Sequence, residues 1–255
     1  MAEKIVTVPI FSFAYSRLMS ETFLSGRLAL VTGASRGIGA ATAEALAAAG
    51  AHVILTARTA AGLESVEERI HASGGSATIA PLDLTESDSV ARLASAVAER
   101  WPALDVLVLN AGILGSLTPV AQIDGAEMGR VLTLNLLANQ AMIAGFDPLL
   151  RASPAGRLLA VTSSVGRRPR AFWGAYAASK AALETLVLSY GEEVKNLAPL
   201  KVAIVDPGAT ATKMRERAYP GEDPATLKGP EAVAEAIAAM LARDFENGER
   251  LELGR

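Results

Sequence analysis

From Arg27 onward, short apolar runs alternate with stretches of helical periodicity. The runs at 28–32, 52–56, 77–82, 105–109, 157–162 and 201–205 are rich in Val, Ile and Leu and lack polar alternation. That pattern predicts strands buried on both faces of a parallel sheet. Helical patterns fall between them. The Ala-rich stretch 38–49 ends at Gly50, a residue suited to the position just past a helix. Thr85-x-x-Asp88 resembles a capping box opening a helix that runs to about Arg100. Later helices are expected over 127–144, 176–196 and 230–243, the last with Pro230 in its first turn. The β-α alternation predicts a single-domain α/β fold, a doubly wound, mainly parallel sheet with helices on both faces. Residues 251–255 read as a short last strand. No internal repeat or low-complexity linker interrupts the pattern. The longest aperiodic stretch is 213–229, with the turn signals Pro220-Gly221 and Asp223-Pro224,. A loop this long inside a compact domain is a candidate lid.

Residues 1–23 precede this pattern and read as an N-terminal extension to a domain at 24–255. The apolar, aromatic stretch 5–15 follows Lys4, but no Ala-x-Ala-like cleavage site follows it, which argues against a cleaved signal,. A start at Met19 is the other reading. No run of 18 uncharged apolar residues predicts a membrane helix.

Composition narrows the chemistry. Of the 255 residues 51% are hydrophobic and 20% charged, which excludes a disordered chain,. A net charge of −3 argues against a broad nucleic-acid surface,. There is no cysteine, so thiol nucleophiles, disulfides and Cys-ligated metals are excluded, and a cytoplasmic location is expected,. With only His52 and His71, an imidazole-based zinc site is not expected, nor is any other metal,.

The first apolar run leads into Thr32-Gly33-Ala34-Ser35-Arg36-Gly37-Ile38-Gly39. Glycine serves where φ is positive or a Cβ would clash. The free N–H groups and dipole of the helix that begins here form an anion site suited to a pyrophosphate. An acidic residue at the end of the second strand would hold the ribose 2′-hydroxyl of NAD. Ala57 and Arg58 stand there instead, and Arg36 lies in the glycine turn. Two guanidinium groups suit a 2′-phosphate, so NADP(H) is the expected cofactor.

Tyr176-Ala177-Ala178-Ser179-Lys180 places Tyr and Lys at i and i+4, on one helical face. An adjacent ammonium favours a phenolate and lowers the pKa of the tyrosine from about 10. Such a phenol can exchange a proton near neutral pH. Ser163, just past the fifth run, is placed to hydrogen-bond the carbonyl oxygen that Tyr176 protonates.

Taken together, these residues resemble the short-chain dehydrogenase/reductase family from about Leu24 to the C-terminus. The matching positions are Thr32-Gly33-x3-Gly37-x-Gly39, Asp83-Leu84, Asn110-Ala111-Gly112, Asn135, Ser163, Tyr176-x3-Lys180 and Pro207-Gly208. Within the family the chain looks most like the bacterial 3-oxoacyl-carrier-protein-reductase-like group. The resemblance implies a Rossmann fold of about seven strands and a nicotinamide cofactor. It also implies Tyr176 as general acid/base, with Lys180 lowering its pKa and holding the nicotinamide ribose. Ser163 would position the substrate, and Asn135 would support a relay water. Asp83 and Leu84 would hold the adenine, and Asn110, Ala111 and Gly112 would line the cleft. Ser35 and Ile38 belong to the phosphate turn. Pro207, Gly208, Thr210 and Thr212 lie at the nicotinamide end, Thr212 on its carboxamide. A homodimer or homotetramer is implied as well. Two departures stand out. Leu109 replaces the first Asn of the usual Asn-Asn-Ala-Gly, and the chain ends short of the family's usual final strand and tail.

The expected reaction is NADP(H)-dependent hydride transfer between nicotinamide and a carbonyl or secondary alcohol. The substrate would be a small molecule or an acyl-carrier carbonyl compound. Arg167, Arg168, Arg170, Arg215 and Arg217 suggest a basic rim for an anionic substrate; the alternative is a solvated loop. At the level of function the alternative is a catalytically silent nucleotide-binding sensor or scaffold. Such a protein has no need of Ser163, Tyr176 and Lys180 together. An isomerase or dehydratase is a third reading, though epimerases of this superfamily are longer.

Overall fold

The computed structural model describes residues 5–6 and 22–254. The readings of residues 1–23 as an extension and of Met19 as the start fall almost wholly outside the described residues.

Eight parallel strands form one sheet: β1 (Ile5–Val6), β2 (Leu28–Thr32), β3 (His52–Ala57), β4 (Ser76–Pro81), β5 (Val106–Leu109), β6 (Arg157–Val161), β7 (Lys201–Asp206) and β8 (Glu249–Glu252). Their order is β1-β8-β7-β6-β5-β2-β3-β4. β2 to β8 form its seven-stranded body, and the two residues of β1 add an eighth, edge strand paired with Arg250 and Leu251. The order reverses between β2 and β5, the switch point where an open α/β sheet opens a crevice for ligands.

Alternate residues of each strand enter different cores, which is why the runs show no polar alternation. Val31, Val53, Val108, Leu159 and Val205 pack with α1 (Gly37–Ala48), α2 (Ala60–Ala72) and α8 (Pro230–Leu241). Leu30, Ile54, Leu107, Leu158 and Ile204 pack with α3 (Ser89–Ala98), α5 (Ala138–Ala152) and α6 (Gly174–Val194). Two short helices complete the chain, α4 (Gly125–Leu132) and α7 (Lys213–Ala218).

Several expectations need correction. The Thr85-x-x-Asp88 pattern does not cap α3: Asp88 precedes the helix at φ 61° without a side-chain cap, and the Thr85 hydroxyl donates to Asp83 at 2.7 Å. The expected 127–144 helix starts earlier, because the Asp124 side chain accepts from Glu127 N at 2.8 Å and caps α4. It also runs on to Ala152 through a π-helical turn at Thr133–Leu137. The sequence reading passed over α2. The stretch 213–229 is not all loop, since Thr212 caps α7. The final strand is present, at Glu249–Glu252 rather than 251–255.

Candidate active site

The glycine turn crosses the switch point. Thr32 Oγ1 reaches Val108 O at 3.2 Å and accepts from Asn110 N and Ala111 N at 2.9 and 3.0 Å, tying β2 to the chain after β5. Asn110 Nδ2 donates to Thr32 O at 2.9 Å and Gly33 O at 3.3 Å. The Asn110 amide therefore braces the turn. Gly33 and Gly37 have φ of +67° and +57°, the region that favours glycine. A Cβ on Gly39 would overlap Gly33 O and Asn110 Nδ2. Gly62 lets α2 approach Ser35, whose Cβ lies 2.9 Å from where a Gly62 Cβ would sit.

The start of α1 suits a pyrophosphate. Its N-cap, Arg36, makes no side-chain cap hydrogen bond, and its first turn holds no acid. Backbone donors and dipole are thus left for an anion. Ile38 packs on the core beside the turn. Beyond β3, Arg58 is exposed, and its Nη1 lies 4.0 Å from Asp83 Oδ2. Asp83 accepts from the Thr85 hydroxyl and N–H, and these bonds hold its carboxyl below the ordinary value. Leu84 lies in the core with Ile54 and Leu107, so its side chain is directed away from the crevice.

Deeper in, Tyr176 and Lys180 are buried on α6. Lys180 Nζ donates to Val161 O at 2.8 Å and lies 5.7 Å from the Tyr176 ring centroid. Ser163, just past β6, lies close enough to Tyr176 for its hydroxyl to favour the ionised phenol. Gly112 faces this group: a Cβ there would stand 3.2 Å from Asn135 Oδ1 and 3.6 Å from Lys180 Nζ. Asn135 sits in the π-helical turn. Its amide accepts from Ile113 N and donates to Ile113 O and Ser179 Oγ, at 2.8, 2.9 and 3.0 Å. Ser179 Oγ donates in turn to Tyr176 O at 2.7 Å. Asn135 thus clasps the segment after Gly112 to α6.

Burial pushes the Tyr176 phenol above its ordinary value; the Asp206 charge adds to this, and the Ser163 hydroxyl opposes it. The net direction is opposite to that expected from Lys180 alone, whose ammonium donates to the Val161 carbonyl. Burial pushes Lys180 itself down to about 8, against the Glu184 charge.

Past β7, Gly208 has φ +61°, and a Cβ there would collide with Leu253 O. The Thr210 hydroxyl donates to Pro207 O at 3.0 Å, a contact within its own turn. Thr212 faces the glycine turn, with its methyl carbon 3.6 Å from where a Gly37 Cβ would lie. The segment that follows closes on itself. Ala211 N donates to Lys228 O at 2.9 Å, and Thr210 and Lys228 form a β-bridge.

An apolar wall stands beside Tyr176. Leu114, Val165, Tyr176 and Ala177 are buried together, with Leu117, Trp173, Met214 and Ala218 packed on them. The Trp173 ring lies 5.9 Å from Tyr176 and 5.8 Å from Tyr219. The expected basic rim is largely consumed in holding this wall. Arg170 donates to the Tyr219 hydroxyl at 3.0 Å. Arg215 makes a forked pair with Glu222 at 2.5 and 2.7 Å. Arg167 turns inward to Glu252 and Glu184. The sequence reading missed Tyr219, Leu114, Asp206, Glu184 and Arg250. Asp206, directly before Pro207-Gly208, Glu184, one turn past Lys180, and Tyr219, inside 213–229, carried a positional signal.

The short chain dehydrogenase family matches residues 27–223. The chain belongs to that family. It is 38% identical to the uncharacterized oxidoreductase YciK of Escherichia coli K12, over 88% of this chain and 89% of that one. A short chain dehydrogenase of Salmonella enterica serovar Typhi superposes with a TM-score of 0.87 at 35% identity, covering 91% of this chain and 97% of the other. A protein of Escherichia coli CFT073 solved as a complex with NADPH superposes at 0.85 with 36% identity, covering 91% and 98%. Among the described residues no helix of this dehydrogenase-family chain is long and apolar enough to cross a membrane.

Proposed function

We propose that this protein is an NADP(H)-dependent oxidoreductase acting between a carbonyl compound and its secondary alcohol. The observation that carries the reading is the convergence of Ser163, Tyr176 and Lys180 at the crevice that the glycine turn opens. The NADPH-bound relative supports the cofactor. When bound, NADPH supplies the hydride.

This chain's residues do the rest. The turn at Gly33, Gly37 and Gly39 and the bare start of α1 receive the pyrophosphate. Arg36 and Arg58 receive the 2′-phosphate, and Asp83 faces the adenine. Lys180 holds the nicotinamide ribose through its ammonium. Ser163 and Tyr176 hydrogen-bond the substrate carbonyl oxygen, and Tyr176 gives it a proton, which places donors where negative charge develops. A phenol pKa raised by burial keeps that proton in place until reduction begins.

Three of the five rim arginines, Arg167, Arg170 and Arg215, bind within the protein, which supports a small uncharged carbonyl compound over an acyl-carrier thioester. Leu137 and Ala178 are exposed on adjoining helical segments and support a pairing face for a homodimer or homotetramer.

A fluorescence titration with NADPH, then NADH, tests the reading. Tighter binding of NADPH, weakened in R36A and R58A, is expected, with Y176F binding NADPH but turning over no carbonyl substrate. Failure of the wild type to bind either nucleotide refutes it.

A further inference from the structure

Tyr176, Lys180 and Glu184 follow at i, i+4 and i+8 along one face of α6, and all three are buried. The proposed reaction uses the first two. A buried carboxylate is costly unless it is paired, and Glu184 is paired from two other elements. Arg250 on β8 places Nη1 3.0 Å from Glu184 Oε2. Arg167, in the loop after β6, places Nε 3.9 Å from the same oxygen while its other end pairs with Glu252. That loop packs directly on α6: a Cβ on Gly166 would lie 3.0 Å from Ala181 N. Glu184 Oε1 is buried with no hydrogen-bond partner among the described residues.

Among the described residues, the following charged groups surround this stripe. Lys180 lies one turn before Glu184 on the same helix, within reach of its charge, and 5.7 Å from the Tyr176 ring centroid. Tyr176 feels Asp206 at the end of β7. Asp206 accepts from Gly208 N at 3.1 Å and lies near Ser164, Glu252, Arg167 and Lys228. Among the described residues, Glu184 is the acidic group whose charge acts on Lys180.

We propose that Glu184 is a positioning residue of the site: its carboxylate, fixed by Arg250 and Arg167, keeps the buried Lys180 charged and donating to the Val161 carbonyl. The catalytic meaning of this role rests on the function proposed above. The final strand thereby reaches the reacting groups. It supplies Arg250, which orients Glu184, and Glu252, which holds Arg167.

The sign follows from the geometry. Burial alone favours neutral Lys180, and Glu184 resists it. Neutralising Glu184 leaves Arg250 and Arg167 facing the ammonium, so Lys180 loses its proton at lower pH. Removing Arg250 strengthens the hold of Glu184 on Lys180 and raises its titration.

The chain has six lysines, so side-chain NMR of protein labelled only at lysine is tractable, with K180R assigning the signal. The wild-type midpoint should lie at about 8. In E184Q it should fall by about one pH unit, a tenfold loss of ammonium at alkaline pH, as for removal of a neighbouring opposite charge. In R250Q it should rise. Those opposite shifts would support the assignment, and R250Q alone decides it if E184Q does not fold. Equal midpoints in the wild type and the folded variants would overturn it. The lysine titration needs neither substrate nor nucleotide. A separate NADPH titration of the wild type therefore reports failure of the proposed function independently.

Discussion

Gly39→Ala probes the hinge of the proposed function. The new methyl would overlap Gly33 O and Asn110 Nδ2 and lie 2.9 Å from the Gly33 carbonyl carbon. None of these can yield freely. Asn110 Nδ2 is committed to Thr32 O and Gly33 O, and Gly33 is fixed by its left-handed φ. Restoring ordinary contact requires the turn and α1 to separate by about 1 Å. Overpacking of this kind costs about 1–3 kcal/mol. At about 2–4 °C per kcal/mol for a chain this long, Tm should fall by about 2–12 °C. The same displacement moves the donors that would hold the pyrophosphate, so NADPH should bind at least about tenfold more weakly, equivalent to about 1.4 kcal/mol. Gly74→Ala is the control. Gly74 has φ +80° with no atom within 4 Å of its Cβ, so alanine there brings strain without a clash, about 1–2 kcal/mol. It should lower Tm and leave NADPH affinity unchanged. Thermal melts and fluorescence titrations of both variants decide the matter. G39A binding NADPH like the wild type would refute the placement of the pyrophosphate on this turn.

Other perturbations read other parts of the site. Asp206→Asn removes a charge that disfavours the phenolate, so Tyr176 should ionise at lower pH. A tyrosinate absorbance titration, with Y176F to assign the signal, should show the shift, and an unmoved midpoint would exclude the coupling. Trp173→Ala removes the ring between Tyr176 and Tyr219; KM for an apolar ketone should rise several-fold with NADPH affinity intact, measured by steady-state kinetics. Asp105 accepts from Arg27, Leu28 N and Ser153 at 2.7–2.9 Å. Asp105→Ala should cost about 3–5 kcal/mol in urea unfolding, because buried donors lose a charged acceptor.

The parallel sheet was legible because its central strands, β2, β3, β5, β6 and β7, are apolar on both faces. The fingerprint at Gly33–Gly39, Ser163, Tyr176 and Lys180 was legible because its spacing is local. Helix α2 was missed because it buries only Leu63, Val66 and Ile70, a narrow stripe in a polar segment. The capping pattern at Thr85 failed because Asp83 captured its hydroxyl. Long-range pairing was illegible. Arg167 reads as one of a basic cluster until Glu252, 85 residues on, is brought beside it. The upward shift of the Tyr176 pKa comes from burial and from Asp206 on another strand, neither of which its own Tyr-x3-Lys motif encodes.

The bridge between Thr210 and Lys228 gives the segment between them a single point of departure and return. Its ends are held together whatever lies in the middle, so changing its length or sequence incurs little further closure entropy. The wall residues Met214, Ala218 and Tyr219 all lie on that closed segment, while Tyr176, Lys180 and the glycine turn lie outside it. Selection for a new substrate can therefore act on one exchangeable insert while the reacting groups stay where they are. A segment grafted between these two residues from a relative should carry its substrate preference with it.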